Sequence, residues 1–277
     1  MSCENIGNPN LTIINDLSGS LEEVSGLAKL PGDSHLYAIN DSGNASQLFQ
    51  LNEEGDIMNV FDIPDAVNKD WEDLAYDQKG FIYIGDFGNN RNKRKNLTIY
   101  KIKVTASGVD SSDKITFTFP KYKKMRLKRS FNIEAFIYFK KYLYLFSKNR
   151  RRVTDQKVRV YRVPANPGTY KAEFLQSFPL CGSDKKCVIT AAAINEKNDK
   201  IALLTHDTVF LVSGFNSESL FDGNIQKIDL GHYSQKEGIC FKNDTILYIV
   251  DEREKTRGGY LYQLKLTPST LPNPPAK

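Results

Sequence analysis

The chain of 277 residues carries 38 Lys and Arg residues against 33 Asp and Glu residues, which gives a formal net charge of +5. Its hydrophobic fraction of 40% is ordinary, and its 14 Tyr and 16 Phe residues suit strands that pack on both faces. No apolar run approaches the roughly 18 residues that cross a bilayer, which excludes a transmembrane segment. No secretory leader is visible in the sequence.

A short phrase recurs five times along the chain. Each copy opens an apolar strand with a small or acidic pair, and a polar turn and a second apolar strand follow. The second residues of the five copies are Ser25, Glu72, Glu134, Ala191 and Glu237. A strand-built unit repeated about every 40 to 50 residues is typical of a β-propeller. The repeat therefore predicts an all-β propeller fold.

In chain order, the first four units contain four predicted strands each, and the fifth contains three. Turns such as Asp41-Ser42-Gly43-Asn44 separate the strands. The predicted strands are 22–30, 35–41, 47–51 and 57–63; 71–76, 81–86, 97–104 and 114–119; 132–139, 142–148, 157–163 and 171–180; 188–195, 200–205, 208–214 and 224–230; and 236–242, 245–251 and 259–266.

The segment 11–14 precedes the first unit and supplies the strand that the fifth unit lacks. Placing it on the outside of the last unit closes the ring and removes an exposed sheet edge. We therefore predict five four-stranded blades in a single domain, 11–266, closed by the N-terminal strand. The alternative is six blades, with the sixth folded into the longer second and third units. Residues 1–10 are predicted to be a flexible N-terminus and 267–277 a disordered, Pro-rich tail.

The four cysteines bear on the compartment. Cys3 is either the lipid-bearing first residue of a mature bacterial lipoprotein or an ordinary cysteine in a frayed terminus. Cys181 and Cys187 flank a polar loop and either close it as a disulfide or remain free. Cys240 falls on a strand and is predicted to be a small buried hydrophobe. No Cys-x-x-Cys pair exists, which argues against structural zinc.

Acidic residues recur where the repeat register predicts one face of the disc. The innermost strand of a blade lines the channel and the next strand runs antiparallel to it, so the start of the first and the end of the second share a face. The strand ends contribute Asn40, Asp86, Ser147, Thr205 and Asp251. Together with the strand starts, they gather three glutamates and two aspartates around one axial mouth.

Crowded carboxylates repel one another, and a shared proton or a bound cation relieves that repulsion. Oxygen ligands suit Ca²⁺, whereas transition metals favour His or Cys, which these positions lack. The predicted calcium ligands are Glu72, Glu134, Glu237, Asp86 and Asp251, with Asn40 in support. The alternative is that these side chains cap strand ends and bond backbone amides of the neighbouring blade.

Basic residues are concentrated in loops predicted to open on the same face: 91–95, 121–129, 148–152 and 253–257. The predicted anion contacts are Arg91, Arg94, Arg150 and Arg151, because arginine suits phosphate, sulfate or carboxylate groups. The alternative is a solvated face that keeps the protein soluble. Nucleic acid is not expected as a partner, since no recognition helix or stacking aromatic signature is present.

Two histidines, His206 and His232, fall towards the predicted mouth and are candidates for a general base. The alternative is that they are surface histidines without a role. The absence of a Gly-x-Ser-x-Gly motif leaves covalent acyl transfer without support.

Three segments carry a family resemblance: 71–75 (WEDLA), 83–90 (YIGDFGNN) and 236–240 (KEGIC). Over residues 21–266 the chain resembles an uncharacterised family of exported propellers from Bacteroidetes-type bacteria. It is more distantly similar to the SdiA-regulated and phytase-like (esterase-like) propellers. The resemblance implies an exported and often lipid-anchored propeller with an axial Ca²⁺ and no settled activity. Ser25 and Ala191 depart from the glutamate pattern at blade starts.

Together these observations predict an extracytoplasmic, monomeric propeller, in the periplasm or at the cell surface. It would bind an anionic small molecule, glycan or protein on its basic face, with Ca²⁺ at the axis. One alternative is a metal-dependent phosphoester hydrolase like a phytase or nucleotidase. Another is an inert structural surface protein. If Met1 is the native start, the expected location is the cytoplasm instead.

Overall fold

The computed structural model of the protein describes residues 7–120, 132–148, 157–180 and 187–267. Within these ranges the chain forms 21 strands and one short 3₁₀ helix, Gly19–Leu21. The described residues include no helix long and apolar enough to cross a membrane. Cys3, Cys181, Arg150, Arg151 and the predicted tail beyond residue 267 lie outside the described residues.

The strands form five sheets, each built on four antiparallel strands, and the sheet of blade 2 has a fifth strand that pairs in parallel at its outer edge. After β1 (Leu11–Asp16), blade 1 contains β2 (Val24–Ala28), β3 (Leu36–Asn40), β4 (Gln47–Leu51) and β5 (Ile57–Asp62). Blade 2 contains β6 (Trp71–Tyr76), β7 (Phe81–Asp86), β8 (Leu97–Thr105) and β9 (Gly108–Thr118). Blade 3 contains β10 (Ile133–Phe139), β11 (Tyr142–Ser147) and β12 (Val158–Pro164); the short β13 (Gly168–Lys171) comes next, and β14 (Glu173–Phe178) completes the blade.

Blade 4 contains β15 (Ala191–Ile194), β16 (Lys200–Leu204), β17 (Thr208–Ser213) and β18 (Asn224–Asp229). Blade 5 contains β19 (Lys236–Asn243), β20 (Ile246–Asp251) and β21 (Tyr260–Lys265), and β1 completes it. Strand β1 pairs antiparallel to β21, with Leu11 opposite Leu264 and Asp16 opposite Tyr260. The prediction of a five-bladed propeller closed by the N-terminal strand is confirmed, and the six-bladed alternative is not.

Strand β13 departs from the predicted pattern. It leaves the third repeat and pairs parallel to β9 of blade 2, with Gly168 opposite Ile115. The backbone N–H of Ala172 then donates to Thr118 O at 2.8 Å before the chain returns to blade 3. This strand covers the outer edge of blade 2, which would otherwise offer unpaired backbone groups.

Apolar side chains fill the layers between neighbouring blades. Between blades 2 and 3, the fully buried rings of Phe87 and Phe136 meet edge to face with their centroids 5.1 Å apart. The inner strand β2 is buried at every position, as expected for a strand packed on both sides. Cys240 is buried in β19, and Cys187 is disulfide-bonded. The pairing of Cys187 with Cys181 stays a prediction.

Candidate metal centre at the axial mouth

A bulge at the start of the inner strands sets the geometry of the mouth. In β6, Trp71 pairs with Asp86 and Asp73 pairs with Gly85, so Glu72 is an extra residue between them. The same register shift occurs at Ser25, Glu134 and Glu237. A β-bulge re-aims the side chain of its extra residue. The repeated phrase of the sequence therefore marks four bulges.

Blade 4 lacks this bulge. Ala191 pairs directly with Leu204, and the register of β15 and β16 continues without a shift. The blade whose sequence has no acid or serine at this position is thus the blade with a regular strand start. The missing glutamate and the missing bulge are two aspects of one local change.

Three carboxylates from blades 1 and 2 come together at the mouth. Asp41 follows β3, Asp70 precedes β6, and Glu72 is the bulge residue of β6. One oxygen of each lies within 4.8 Å of the others. Glu72 is only 6% exposed, and the two aspartates are partly buried. This group, here called the acidic triad, could hold a metal ion.

One oxygen of Glu72 is the atom of the triad that most needs a binding partner. Its Oε1 is inaccessible to solvent and has no hydrogen-bond partner among the described residues. Leaving a buried polar atom unpaired is costly, because its interaction with water is lost without replacement. A cation bound to the triad would satisfy this atom.

Gly88 provides the space beside this oxygen. A Cβ atom at Gly88 would lie 2.0 Å from Glu72 Oε1 and 2.5 Å from Asp70 Oδ2. Any side chain at this position would collide with two of the three carboxylates. The glycine of the Asp86-Phe87-Gly88-Asn89 turn therefore keeps the triad open.

The surroundings favour added positive charge. Burial, and then the charge of Glu134, raise the pKa of Glu72 well above its usual value. Burial and the neighbouring Asp41 raise the pKa of Asp70 to about 6. Burial also raises the pKa of Asp41 itself, with Glu134 contributing. Each shift has the sign expected for carboxyl groups that lack sufficient counter-charge.

Lys148 supplies part of that counter-charge. Its Nζ donates to Glu134 Oε2 at 2.9 Å, and Asn132 Nδ2 donates to Glu134 Oε1. Burial alone would lower the pKa of Lys148, but Glu134, Glu237 and Glu72 raise it above the usual value. The sequence placed Lys148 in a basic rim loop, whereas its ammonium group points inward and neutralises Glu134.

Glu237 and His206 form a second pair at the mouth. His206 Nδ1 lies 4.0 Å from Glu237 Oε1. Burial raises the pKa of Glu237 to about 8, although Lys148 opposes that shift. Burial, with Lys148 and Lys236, lowers the pKa of His206 to about 4. These shifts favour the protonated form of Glu237 and the neutral form of the His206 imidazole.

His232 lies against Lys236 and Tyr262. Its Nε2 is 3.1 Å from Lys236 Nζ, and its ring centroid is 5.6 Å from that of Tyr262. It belongs to the wall of the mouth, and its role as a base stays a prediction.

The second-strand ends make contacts within their own blades. Asp86 Oδ1 accepts from the Asp70 backbone N–H at 3.0 Å and from Arg94 at 2.9 Å. Asp251 accepts from the Tyr260 N–H at 2.8 Å and from the Tyr262 hydroxyl at 2.7 Å. Asn40 Nδ2 donates to Ser20 O at 2.8 Å. Metal ligation by Asp86, Asp251 and Asn40 stays a prediction.

The predicted anion contacts divide into three cases. Arg94 donates to Gly88 O at 2.8 Å and to Asp86 O at 2.9 Å, so its guanidinium braces the turn beside the triad. Arg91 is exposed. Arg150 and Arg151 lie outside the described residues. Anion binding by these arginines stays a prediction.

The sequence reasoning did not select Asp41 or Asp70. Asp41 is one residue beyond the chosen strand end Asn40, and Asp70 is two residues before Glu72. Asp41 is the last residue of the predicted strand 35–41 and Asp70 directly precedes the predicted strand 71–76, so a search of the residues beside each chosen position would have included both. The repeated Asp-x-Gly-Asn turn at Asp41 and Asp86 was a visible signal, although it was interpreted as a structural turn.

Five blades around an acidic axial mouth define the chain as a β-propeller with a candidate metal centre. The chain belongs to the SdiA-regulated family, whose model matches residues 9–255. This match confirms the resemblance to that family, and a Bacteroidetes-type origin stays a prediction. A comparison with curated protein sequences finds no match.

Solved structures of other propellers are similar in fold. The PQQ-bound aldose sugar dehydrogenase from Streptomyces coelicolor has a TM-score of 0.56 at 10% identity, over 94% of this chain and 98% of that one. A glucose dehydrogenase has a TM-score of 0.54 at 8% identity, over 94% and 100%. The gluconolactonase XC5397 from Xanthomonas campestris has a TM-score of 0.51 at 11% identity, over 92% and 89%. At these identities the likeness shows the fold alone.

Proposed function

We propose that this protein is a calcium-dependent binding propeller. Asp41, Asp70 and Glu72 hold Ca²⁺ at the axial mouth, and the ion receives an anionic group of a ligand. The observation that carries this proposal is the buried Oε1 of Glu72, which has no hydrogen-bond partner among the described residues and faces two further carboxylates. Glu134 and Glu237 of the sequence-based set line the same mouth, where Glu134 pairs with Lys148 and Glu237 lies 4.0 Å from His206.

The chemistry of the triad favours Ca²⁺ among common metals. All three side chains offer hard oxygen donors, and no Cys or His belongs to the group. Ca²⁺ takes six to eight oxygens in flexible geometry, so three carboxylates leave positions for water or for an oxygen of the ligand. Mg²⁺ requires a stricter octahedron and gives up its water reluctantly.

An extracytoplasmic location is part of the proposal. The disulfide at Cys187 supports it, because disulfides persist mainly in oxidising compartments. Calcium sites of extracellular modules also work at the high calcium concentrations found there.

Calorimetric titration of chelator-stripped protein with CaCl₂ tests the site. We expect saturable binding by the native chain and its loss in Glu72→Gln, which keeps the shape of the side chain but removes its charge. Glu173→Gln is the matched control, since Glu173 is 57% exposed and pairs with Arg162 on the outside of blade 3. Equal binding by Glu72→Gln and the native protein would contradict the proposal.

A metal-dependent phosphoester hydrolase is the second candidate, favoured by the His206–Glu237 pair, whose atoms are 4.0 Å apart at the mouth. A cation would polarise a phosphoryl oxygen and lower the pKa of bound water. Neutral His206 would accept the proton, and protonated Glu237 would supply one to the leaving group. Hydrolysis of p-nitrophenyl phosphate that needs calcium and is lost in His206→Asn would support this candidate. Calcium binding without hydrolysis would support the binding protein. If the protein neither binds calcium nor hydrolyses the ester, the inert surface protein is the remaining hypothesis.

A further inference from the structure

A cavity of about 390 Å³ opens on the mouth side of blades 4 and 5. We call it the lip cavity. One wall is the segment 232–235, which leads into β19, and the other is the segment 252–258 between β20 and β21. Its size falls within the 300 to 1,000 Å³ or so that is usual for small-molecule sites.

A buried lysine holds the first wall in one shape. Lys236 is fully buried, and its Nζ donates to Ser234 Oγ at 2.7 Å and to His206 O at 3.2 Å. The same ammonium lies 3.1 Å from His232 Nε2. Burying the lysine ammonium group costs free energy of desolvation. Because the hydrogen bonds of Lys236 already fix the segment 232–235, a ligand that binds there loses little free energy to ordering it.

Polar groups from both walls meet in the cavity. Gln235 Nε2 donates to Glu252 Oε2 at 2.9 Å, and the Glu252 backbone N–H donates to Gln235 O at 2.9 Å. An amide has two donor hydrogens and an acceptor oxygen, and a carboxylate has two acceptor oxygens. The side-chain contact uses one donor and one acceptor of this set. Planar amide and carboxylate groups can pair with adjacent hydroxyls of a polyol.

An aromatic ring stands at the edge of the same cavity. Tyr233 lines the cavity and is 56% exposed, more than the other large hydrophobic side chains among the described residues. Its centroid lies 5.1 Å from that of His206, so the imidazole supports one side of the ring. A supported and exposed aromatic ring is a suitable surface for an amphipathic ligand.

We propose that the lip cavity binds a neutral hexose. The C–H face of the sugar packs on Tyr233, and its hydroxyls bond to Gln235 and Glu252. Among the described residues that line the cavity, Glu252 and Glu254 outnumber Arg257, and Arg253 of the same segment pairs with Asp16 instead. The lining therefore favours a neutral ligand over an anion. This site is separate from the acidic triad and does not rest on the proposed calcium function.

Saturation-transfer NMR on the full chain tests the proposal, with glucose, galactose, mannose and N-acetylglucosamine as probes. Inorganic phosphate is added as the anionic competitor, and its effect is measured on the signals of the bound hexose. We expect saturable binding of at least one hexose and no displacement of it by phosphate. Tyr233→Ala should weaken hexose binding by about tenfold, because it removes the stacking surface. Tyr233→Phe keeps the ring and should bind as the native chain does. Circular dichroism of Tyr233→Ala should be native, since the residue is exposed.

The proposal is overturned if no hexose binds the native chain, or if Tyr233→Ala binds as well as Tyr233→Phe. Chelation separates this site from the triad. Hexose binding should persist in EDTA and in Glu72→Gln. Its loss under either condition would indicate that the hexose binds at the axial mouth instead, and this would overturn the assignment. A failed calcium titration with intact hexose binding would refute the proposed function and leave this inference standing.

Discussion

Two neighbouring carboxylates of β6, Glu72 and Asp73, are both buried, yet their surroundings are opposite. Asp73 lies in the channel wall, where its Oδ2 accepts backbone N–H bonds from Phe136 of β10 and Ala192 of β15, each at 3.1 Å. Its Oδ1 accepts from the Leu74 N–H at 2.8 Å. Glu72 lies at the mouth, and its Oε1 has no such partner among the described residues.

The contrast shows that burial alone does not identify a ligand site. Burial raises the pKa of both carboxyl groups above the usual value. The kind of hydrogen bond distinguishes them: Asp73 accepts backbone N–H bonds from the inner strands of three blades, whereas Glu72 contacts the carboxyl group of Glu134 and lies close to Asp41 and Asp70. A buried polar atom without a partner requires an explanation, and a bound cation provides one here.

The largest effect is expected from removing the carboxylate in the channel. Asp73→Ala would leave backbone N–H groups of three inner strands without their acceptor in a buried position. Each such group costs about 1 to 3 kcal/mol, so we expect a loss of about 4 kcal/mol in the free energy of unfolding. Urea denaturation followed by circular dichroism measures it.

Asp110→Ala is the control for this change, because Asp110 is exposed on β9. It should alter stability by no more than about 0.5 kcal/mol. If the two variants unfold at the same urea concentration, Asp73 does not join the blades as described.

A smaller effect is expected at Lys148, the internal cation of the mouth. Lys148→Met leaves Glu134 buried without its 2.9 Å ion pair, and the side chain of Lys148 is 20% exposed. We expect a loss of about 2 to 3 kcal/mol in chelator, below the range for a fully buried pair. Melting temperature in EDTA is the measurement.

Adding Glu134→Gln to Lys148→Met should restore much of that stability, because the buried charge is then removed with its partner. Calcium should also raise the melting temperature of Lys148→Met more than that of the native protein. A double variant no more stable than Lys148→Met would show that the lysine acts through packing alone.

The pH dependence of stability gives a third comparison. Burial raises the pKa of Glu237 to about 8 in the folded chain, against about 4.3 in an unfolded chain. Between these values the folded state binds more protons, so its stability is greatest below about pH 4 and falls as the pH rises through 8. We expect chelated protein to lose about 2 kcal/mol between pH 6 and pH 8 from this group.

Denaturation at both pH values measures this slope. Glu237→Gln cannot titrate, so its stability should change less over the same interval. An identical slope in the native chain and in Glu237→Gln would assign the pH dependence to other groups.

The contrast within β6 also shows how far the sequence can predict this molecule. The repeat specifies the blades and the closing strand, because each unit must bury the faces of its own strands. It also selects Glu72, since the bulge residue holds a fixed place in the phrase. The repeat does not select Asp41 or Asp70, because in the structure both lie just outside β3 and β6, where periodicity no longer determines the direction of a side chain. Strand β13 is absent from the predicted strands, because a four-residue segment next to a turn has no periodicity of its own and the sequence does not reveal which sheet edge it covers.

The smallest effect, and the most specific to the triad, is expected at Gly88. Its backbone angle φ is not in the positive region, so Gly88→Ala acts through the new Cβ, which would meet Glu72 Oε1 at 2.0 Å and Asp70 Oδ2 at 2.5 Å. Displacing two ligand oxygens should weaken calcium binding by about tenfold, or about 1.4 kcal/mol.

Calorimetric titration of Gly88→Ala beside Gly19→Ala tests this expectation. A Cβ at Gly19 would lie 3.7 Å from its nearest neighbour, Glu22 Oε1, and φ there is not positive either, so this control should bind calcium as the native chain does. Unchanged affinity in Gly88→Ala would place the ion away from the Glu72–Asp70 contact, and the orphaned oxygen would then need another explanation. Weaker binding in Gly88→Ala alone would locate the ion where the bulge of β6 meets the turn after β7.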